Sequence, residues 1–112
     1  MTATTRIHTD TTIVDVAGNI DLASSPAFRR TLLETLRSSP QLAVNLAAVR
    51  YIDSSGIASL LEVLKQARST RKRFVLFGLS TAVREVLQLT RLTGVFEIRA
   101  TEQDLTATSK GA

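Results

Sequence analysis

The four residues Asp53-Ser54-Ser55-Gly56 combine side chains that often begin an α-helix with hydroxyl groups that can accept a phosphate. Oxygens of Asp and Ser side chains accept hydrogen bonds from the free N–H groups of a helix's first turn. That end of a helix carries a partial positive charge and favours an anion. The residues therefore allow two interpretations. Either they only cap a helix, or one serine is in addition a phosphorylation acceptor.

A strand before these residues and a helix after them must position the two serines. Leu42 to Leu46 is short and mostly apolar, which is typical of a strand covered on both faces, and we expect it to end well before Asp53. The helix is predicted from apolar residues spaced i, i+3, i+4 and i+7. They are Ile57, Leu60, Leu61 and Leu64. The Ser54 hydroxyl is thus predicted to be accessible at the start of this helix.

The other apolar segments alternate between strands and helices. Strands are predicted at Ile13 to Val16 (ended by Gly18), Phe74 to Phe77 and Val95 to Arg99, with a shorter one beginning at Ile7. Helices are predicted to start at Ser24-Ser25-Pro26, with a serine N-cap and proline at the first helical position, and at Ser80. The order β, β, α, β, α, β, α, β implies crossover connections. It predicts an α/β fold with a mixed, mostly parallel sheet of four or five strands and helices packed on it.

The length of 112 residues suits one domain. We expect that domain to span residues 1–112, with an ordered core over about 7–100 and flexible segments at 1–5 and 106–112. Asp21 and Asp53 are expected to meet at the carboxyl edge of the sheet, where ligands of α/β proteins bind. A two-carboxylate hydrolase built on this pair is conceivable, but no other feature supports it.

Composition argues against several classes of site. The chain has no cysteine, and its one histidine, His8, lies near an N-terminus expected to be frayed, so neither a metal site nor a catalytic triad is expected. The acidic residues are spread out and the glycines form no phosphate-binding loop, so we expect no catalysis and no cofactor. No apolar run approaches the ~20 residues that span a bilayer, and no secretory signal is recognisable. These features predict a cytoplasmic protein without membrane insertion.

The net charge of +4 raises the question of nucleic-acid binding. One cluster of basic residues stands out: Lys65, Arg68, Arg71, Lys72 and Arg73. Three interpretations are open. The cluster is a solvated helix end whose positive charges interact favourably with the helix dipole, a surface that binds nucleic acid, or a surface that binds an acidic protein. Aromatic residues make up 4% of the chain and do not interleave with the cluster, so there are few side chains on which bases could stack. We expect no direct contact with nucleic acid.

Four segments resemble the STAS domain family, and specifically its anti-sigma factor antagonists. The string Val49 to Ile57, with Asp53-Ser54-Ser55-Gly56 at its centre, is similar to the family's serine loop. Ala17 to Asp21 resembles its early turn, and Leu42 to Leu46 the strand that leads into the loop. The segment from Leu79 to Ile98 resembles its last helix and strand. Together they span about residues 11–100, in the family's order.

The resemblance implies a switch rather than an enzyme. It implies that Ser54, directly after Asp53, is phosphorylated by an anti-sigma factor that is a serine kinase of the GHKL type, and that a phosphatase resets it. The unphosphorylated domain would sequester that kinase and so release a sigma factor. The partner surface implied here is Asp21, Asp53, Ser54, Ser55 and Gly56. Ser55 is then expected to cap the helix rather than to accept the phosphate, with Asp53 as the other candidate for the cap. Asp21 is expected to be either a turn residue or one that positions Ser54 or contacts the kinase.

Other STAS domains keep the alternatives open. Some are accessory subunits on the ATPase of ABC-type lipid transporters, and in these the loop serine is often replaced by threonine. Others are scaffold or stressosome-like proteins. The intact Asp53-Ser54-Ser55-Gly56 favours the sigma-factor regulator over the transporter subunit.

Overall fold

The strands of this chain form one sheet. Their order across the sheet, β1-β2-β3-β4-β5, is the same as their order in the sequence. The computed structural model describes residues 1–107. The strands are β1 (Thr2–His8), β2 (Thr11–Ile20), β3 (Gln41–Ile52), β4 (Arg73–Phe77) and β5 (Glu97–Arg99). The helices are α1 (Ser25–Arg37), α2 (Ser54–Ser69), α3 (Thr81–Leu89) and α4 (Asp104–Ala107).

The pairing of these strands confirms the predicted α/β fold. β1 runs antiparallel to β2, while β2, β3, β4 and β5 pair in parallel. Parallel neighbours need crossover connections, and α1, α2 and α3 supply them. The result is a single small α/β domain with a mixed sheet.

Alternate residues of the central strands point to opposite faces of the sheet. Val14, Val44 and Leu76 belong to the main core, which also holds the buried side chains of α1, α2 and α3. Their neighbours Ile13, Ala43 and Val75 lie in a second, smaller cluster, and Leu105 of α4 joins it. We call the side of the sheet that carries this smaller cluster the open face.

Several strand boundaries differ from those expected from the sequence, and β5 begins at Glu97 rather than at Val95. The segment 1–5, predicted to be flexible, lies largely within β1, where its β-branched threonines pair with β2. β2 does not end at Gly18 but continues to Ile20, and Gly18 takes a φ of +91° where the pairing register shifts. β3 continues past Leu46 to Ile52. Of the segment 106–112, residues 106 and 107 lie in α4, and 108–112 lie outside the described residues.

Ion pairs attach the segment before α4 to the open face. Arg6 of β1 donates to Asp15 of β2 at 2.6 Å and to Glu102 at 2.7 Å. His8 Nδ1 lies 2.5 Å from Glu102 Oε2, so His8 is held at the end of β1 rather than in a frayed terminus. The hydrogen bonds from Arg6 lower the pKa of both Asp15 and Glu102 below their usual ranges, against the opposing effect of burial.

These lowered pKa values predict a loss of stability in acid. The unfolded chain, whose carboxyls have ordinary pKa values near 4, binds more protons than the folded chain, so the free energy of unfolding falls as the pH drops below about 5. Glu102→Gln should lower this free energy at pH 7 by about 0.5–1 kcal/mol, typical of a partly exposed pair. It should also make the fall in acid shallower.

Urea unfolding at pH 7 and in acid measures both effects. The control is Glu85→Gln, which removes an exposed carboxylate from α3. An acid dependence as steep in Glu102→Gln as in the wild type would contradict a stabilising role for Glu102.

Candidate functional site

Two neighbouring parallel strands end side by side, and each leads directly into a helix. Ile20 at the end of β2 pairs with Ile52 at the end of β3, and the Asp53 N–H donates to the Ile20 carbonyl at 3.1 Å. Asp21 and Asp53 are the next residues along the two strands. The structure thus brings Asp21 and Asp53 to the same edge of the sheet, as the strand order predicts.

Asp53 is the N-cap of α2. It has an extended backbone, and its Oδ1 accepts from the N–H groups of Ser55 at 2.9 Å and Gly56 at 3.3 Å. The Ser55 hydroxyl donates to the same oxygen at 2.5 Å. The expectation that Ser55 is the cap is therefore wrong. Ser55 lies within the first turn and supports the capping carboxylate, because Asp53 is the residue with non-helical backbone geometry.

The capping bonds also fix the charge of this site. The Ser55 hydroxyl, followed by the N–H groups of Gly56, Ser55 and Leu22, lowers the pKa of the Asp53 carboxyl below its usual range, and these bonds outweigh the cost of burial. Asp53 is therefore ionised at neutral pH. A fixed negative charge stands next to Ser54 in the sequence.

Ser54 is the first residue of α2 and is exposed to solvent. Among the hydrogen bonds found within residues 1–107, none involves its hydroxyl, whereas the Ser55 hydroxyl is engaged with Asp53. Another molecule can therefore reach Ser54 Oγ without breaking a bond inside the domain. The two adjacent serines consequently differ in availability.

Asp21 organises the turn between β2 and α1. Its Oδ1 accepts from the Ser24 N–H at 3.0 Å and from the Ser24 hydroxyl at 3.1 Å, and its own N–H donates to Ser24 Oγ at 2.9 Å. Ser24 occupies the N-cap position of α1 but makes no side-chain capping bond, since its hydroxyl is used in this turn. The Asp21 carboxylate thus stabilises the turn in which it lies, whereas the Asp53 carboxylate caps α2.

Gly56 is buried where α2 meets the strand ends. A Cβ atom at this position would lie 2.6 Å from Ile52 Cγ1 and 2.8 Å from Ile20 Cγ2. Glycine therefore lets the first turn of α2 lie directly on the two isoleucines that end β2 and β3. Gly56 is therefore a buried packing position, whereas Ser54 is exposed.

Most of the basic cluster is bonded within the domain. Lys72 Nζ donates to the carbonyls of Leu36 and Arg37 at the end of α1, and Arg68 to the carbonyl of Val95. Arg73 pairs with Glu97 at 2.5 Å. These bonds favour the structural interpretation of the cluster over a nucleic-acid surface. No helix within residues 1–107 has the length and apolar content needed to cross a membrane.

A model of the STAS domain family matches residues 2–105. This chain belongs to the STAS domain family. The anti-sigma-B factor antagonist of Listeria monocytogenes is 30% identical over 98 residues, covering 87% of this chain and 86% of the relative. The anti-sigma-B factor antagonist of Bacillus subtilis is 28% identical over 87 residues, covering 78% of this chain and 80% of that protein.

A solved structure agrees with these relatives in fold. The crystal structure of an anti-sigma factor antagonist from Mycobacterium paratuberculosis superposes with a TM-score of 0.85 at 28% identity, covering 95% of this STAS domain and 92% of that chain. The relatives are thus named for antagonising an anti-sigma factor, which is a regulatory role rather than a catalytic one.

Two exposed apolar residues at this edge of the sheet were not predicted from the sequence as part of the site. Leu22 and Tyr51 have large apolar side chains with 77% and 51% of their surface exposed. Both lie within two residues of the aspartates that follow β2 and β3. Their signal in the sequence is that each interrupts the pattern of its element, Leu22 in a polar turn and Tyr51 directly before the buried Ile52.

Proposed function

We propose that this STAS domain is an anti-sigma factor antagonist switched by phosphorylation of Ser54. In its unphosphorylated form it binds a GHKL-type serine kinase that is itself the anti-sigma factor, and a sigma factor is released. When Ser54 is phosphorylated, the domain dissociates from the kinase. A phosphatase then removes the phosphate and restores the binding form. The proposal implies a cytoplasmic protein, because sigma factors act on RNA polymerase inside the cell.

The observation that carries this proposal is the exposed, unengaged hydroxyl of Ser54 at the first position of α2. In the transfer step, Ser54 Oγ bonds to the γ-phosphorus of ATP, the bond to the β-phosphate oxygen breaks, ADP leaves, and a base of the kinase takes the hydroxyl proton. The positive end of the α2 dipole tolerates the new phosphate, so the fold is expected to survive the modification.

The charges around Ser54 explain why one phosphate can act as a switch. Phosphorylation adds about −1.5 to −2 charges beside the ionised Asp53. In free solution, water and the helix dipole screen the two groups. Under a bound partner that excludes water, the same charges repel each other and lose solvation.

The experiment that tests the proposal is phosphorylation of the purified protein by GHKL-type serine kinases encoded in the same genome. With ATP, the protein is expected to gain one phosphate, located on Ser54 by mass spectrometry of its peptides. Ser54→Ala should gain none and should keep its fold, at a cost of about 1 kcal/mol or less since Asp53 remains as the cap.

Ser55→Ala is the matched control, because it removes the adjacent hydroxyl and leaves Ser54 in place. It is expected to be phosphorylated with the same stoichiometry. Phosphate on Ser55 in the wild type would show that the residue assignment is wrong. Absence of phosphorylation together with copurification of an ABC ATPase would support the alternative role as a transporter subunit.

A further inference from the structure

Five large apolar side chains are markedly exposed within residues 1–107: Met1, Ile7, Leu22, Tyr51 and Leu89. A single exposed apolar side chain is ordinary in a soluble protein. Met1 and Ile7 lie in or beside the edge strand β1, and Leu89 lies at the end of α3. Leu22 and Tyr51 differ from Ile7 and Leu89 because they are at the edge of the sheet that carries Ser54. Met1 lies beside Gly18 near the same edge, but at 37% it is the least exposed of the five.

Backbone bonds hold the segment before Leu22 against the cap of α2. The Ile20 carbonyl, two residues before Leu22, accepts from the Asp53 N–H at 3.1 Å, and the Asp53 carboxylate accepts from the first turn that begins with Ser54. Leu22 follows Asp21 in a turn that Asp21 and Ser24 close with reciprocal hydrogen bonds of 2.9–3.0 Å. The side chain is thus exposed on a backbone that is already fixed.

Tyr51 is held at a comparable place on the other strand. It lies in β3, where it pairs with Asn19 of β2, and its neighbour Ile52 is buried in the main core. Tyrosine offers a large contact area at a low cost in conformational entropy, and it is enriched among the residues that dominate binding energies.

We infer that Leu22 and Tyr51 are the apolar anchors through which the anti-sigma factor kinase binds this domain, an inference that rests on the function proposed above. Any protein that brings ATP to Ser54 Oγ must cover the beginning of α2. Leu22 directly follows Asp21 at the edge where β2 and β3 end. Tyr51 precedes Asp53 by two residues and, unlike its neighbour Ile52, points to the open face. A surface that covers the whole of this edge reaches both side chains. Their burial removes apolar surface from water, which stabilises the complex.

The same burial makes the phosphate switch sharper. Apolar side chains that fill the interface around Ser54 exclude water, and repulsion between a phosphate and Asp53 grows as water is removed. Truncating the anchors should therefore weaken binding of the unphosphorylated form more than binding of the phosphorylated form. The ratio between the two affinities should shrink.

The test is the affinity of the GHKL-type kinase that phosphorylates the wild type for purified full-length variants, measured by calorimetry at fixed salt. Tyr51→Ala is expected to weaken binding of the unphosphorylated protein by about tenfold or more, the range of a dominant interface residue, and Leu22→Ala by about tenfold. Leu22→Met and Tyr51→Phe should bind with nearly the affinity of the wild type, because they keep the apolar surface of each side chain. Thermal unfolding of each variant checks that the fold is intact.

Leu89→Ala is the matched control, since it deletes the same atoms as Leu22→Ala from a side chain that is 83% exposed on α3. Its affinity should stay within about twofold of the wild type, a difference too small for an interface anchor. The inference is wrong if the wild type binds the kinase and Leu22→Ala and Tyr51→Ala bind it as Leu89→Ala does, a result that leaves the proposed function standing. If neither the wild type nor Leu89→Ala binds the kinase or gains phosphate, the proposed function fails and this inference fails with it.

Discussion

Protein phosphorylated on Ser54 is expected to bind the anti-sigma factor kinase about 1000-fold more weakly than unphosphorylated protein. A factor of this size corresponds to ~4 kcal/mol. Truncating one partner of a buried charge pair at an interface costs about 2–5 kcal/mol, so one unpaired phosphate under a bound kinase is sufficient. The ionised Asp53 contributes because the phosphate adds to a negative charge already fixed by its bonds to Ser55 and Gly56.

Calorimetry with the kinase at fixed salt measures this difference, using protein whose phosphorylation is verified by mass. Ser54→Ala should bind like the unphosphorylated wild type, since it adds no charge. Ser54→Glu brings one charge in a flatter geometry and should lose only part of the affinity. Equal affinities of the phosphorylated and unphosphorylated proteins would rule out the switch, even if Ser54 is the residue that the kinase modifies.

The sequence predicted the element order and the place of Ser54 because the signals for both are local. Apolar periodicity marks α2, and a run of Asp and Ser before it marks the start of a helix. The parallel arrangement follows from the alternation of strands and helices. Since Asp21 and Asp53 each follow a strand of this parallel pair, their approach at one edge of the sheet was also predictable.

The length of β3 was not predictable in this way. Beyond Leu46 the strand contains Arg50 and Tyr51, which are exposed, so it lacks the continuous apolar pattern of a covered strand. Its pairing explains this composition. β4 pairs with β3 only from Gln41 to Asn45, whereas β2 pairs with it as far as Ile52. Polar residues are tolerated where the sheet narrows to two strands.

The choice of cap and the position of β1 likewise depend on contacts distant in the sequence. Asp53 and Ser55 both have capping side chains, and the bond from the Asp53 N–H to Ile20 decides that the helix begins after Asp53. β1 has a polar sequence without clear alternation. Its register with β2 and the pairs of Arg6 with Asp15 and Glu102 place it in the sheet.

Gly56→Ala is expected to lower the free energy of unfolding by about 1–3 kcal/mol, the usual cost of overpacking a well-filled core. The added methyl group would meet Ile52 and Ile20, which are 2% and 0% exposed and have no open space to move into. Alanine favours a helix over glycine by up to about 1 kcal/mol, so the steric cost must exceed this gain. The first turn of α2, including Ser54, should move outward, and the rate of phosphorylation should fall with the stability.

Gly94→Ala is the matched control for this substitution. Its Cβ would have no atom within 4 Å, so it removes the same backbone freedom without a collision. Urea unfolding should show Gly94→Ala within about 0.5 kcal/mol of the wild type or slightly more stable, because a smaller unfolded ensemble favours the folded state. If Gly56→Ala were as stable as Gly94→Ala, the close packing of α2 on the two isoleucines could not be what fixes Ser54 at the edge of the sheet.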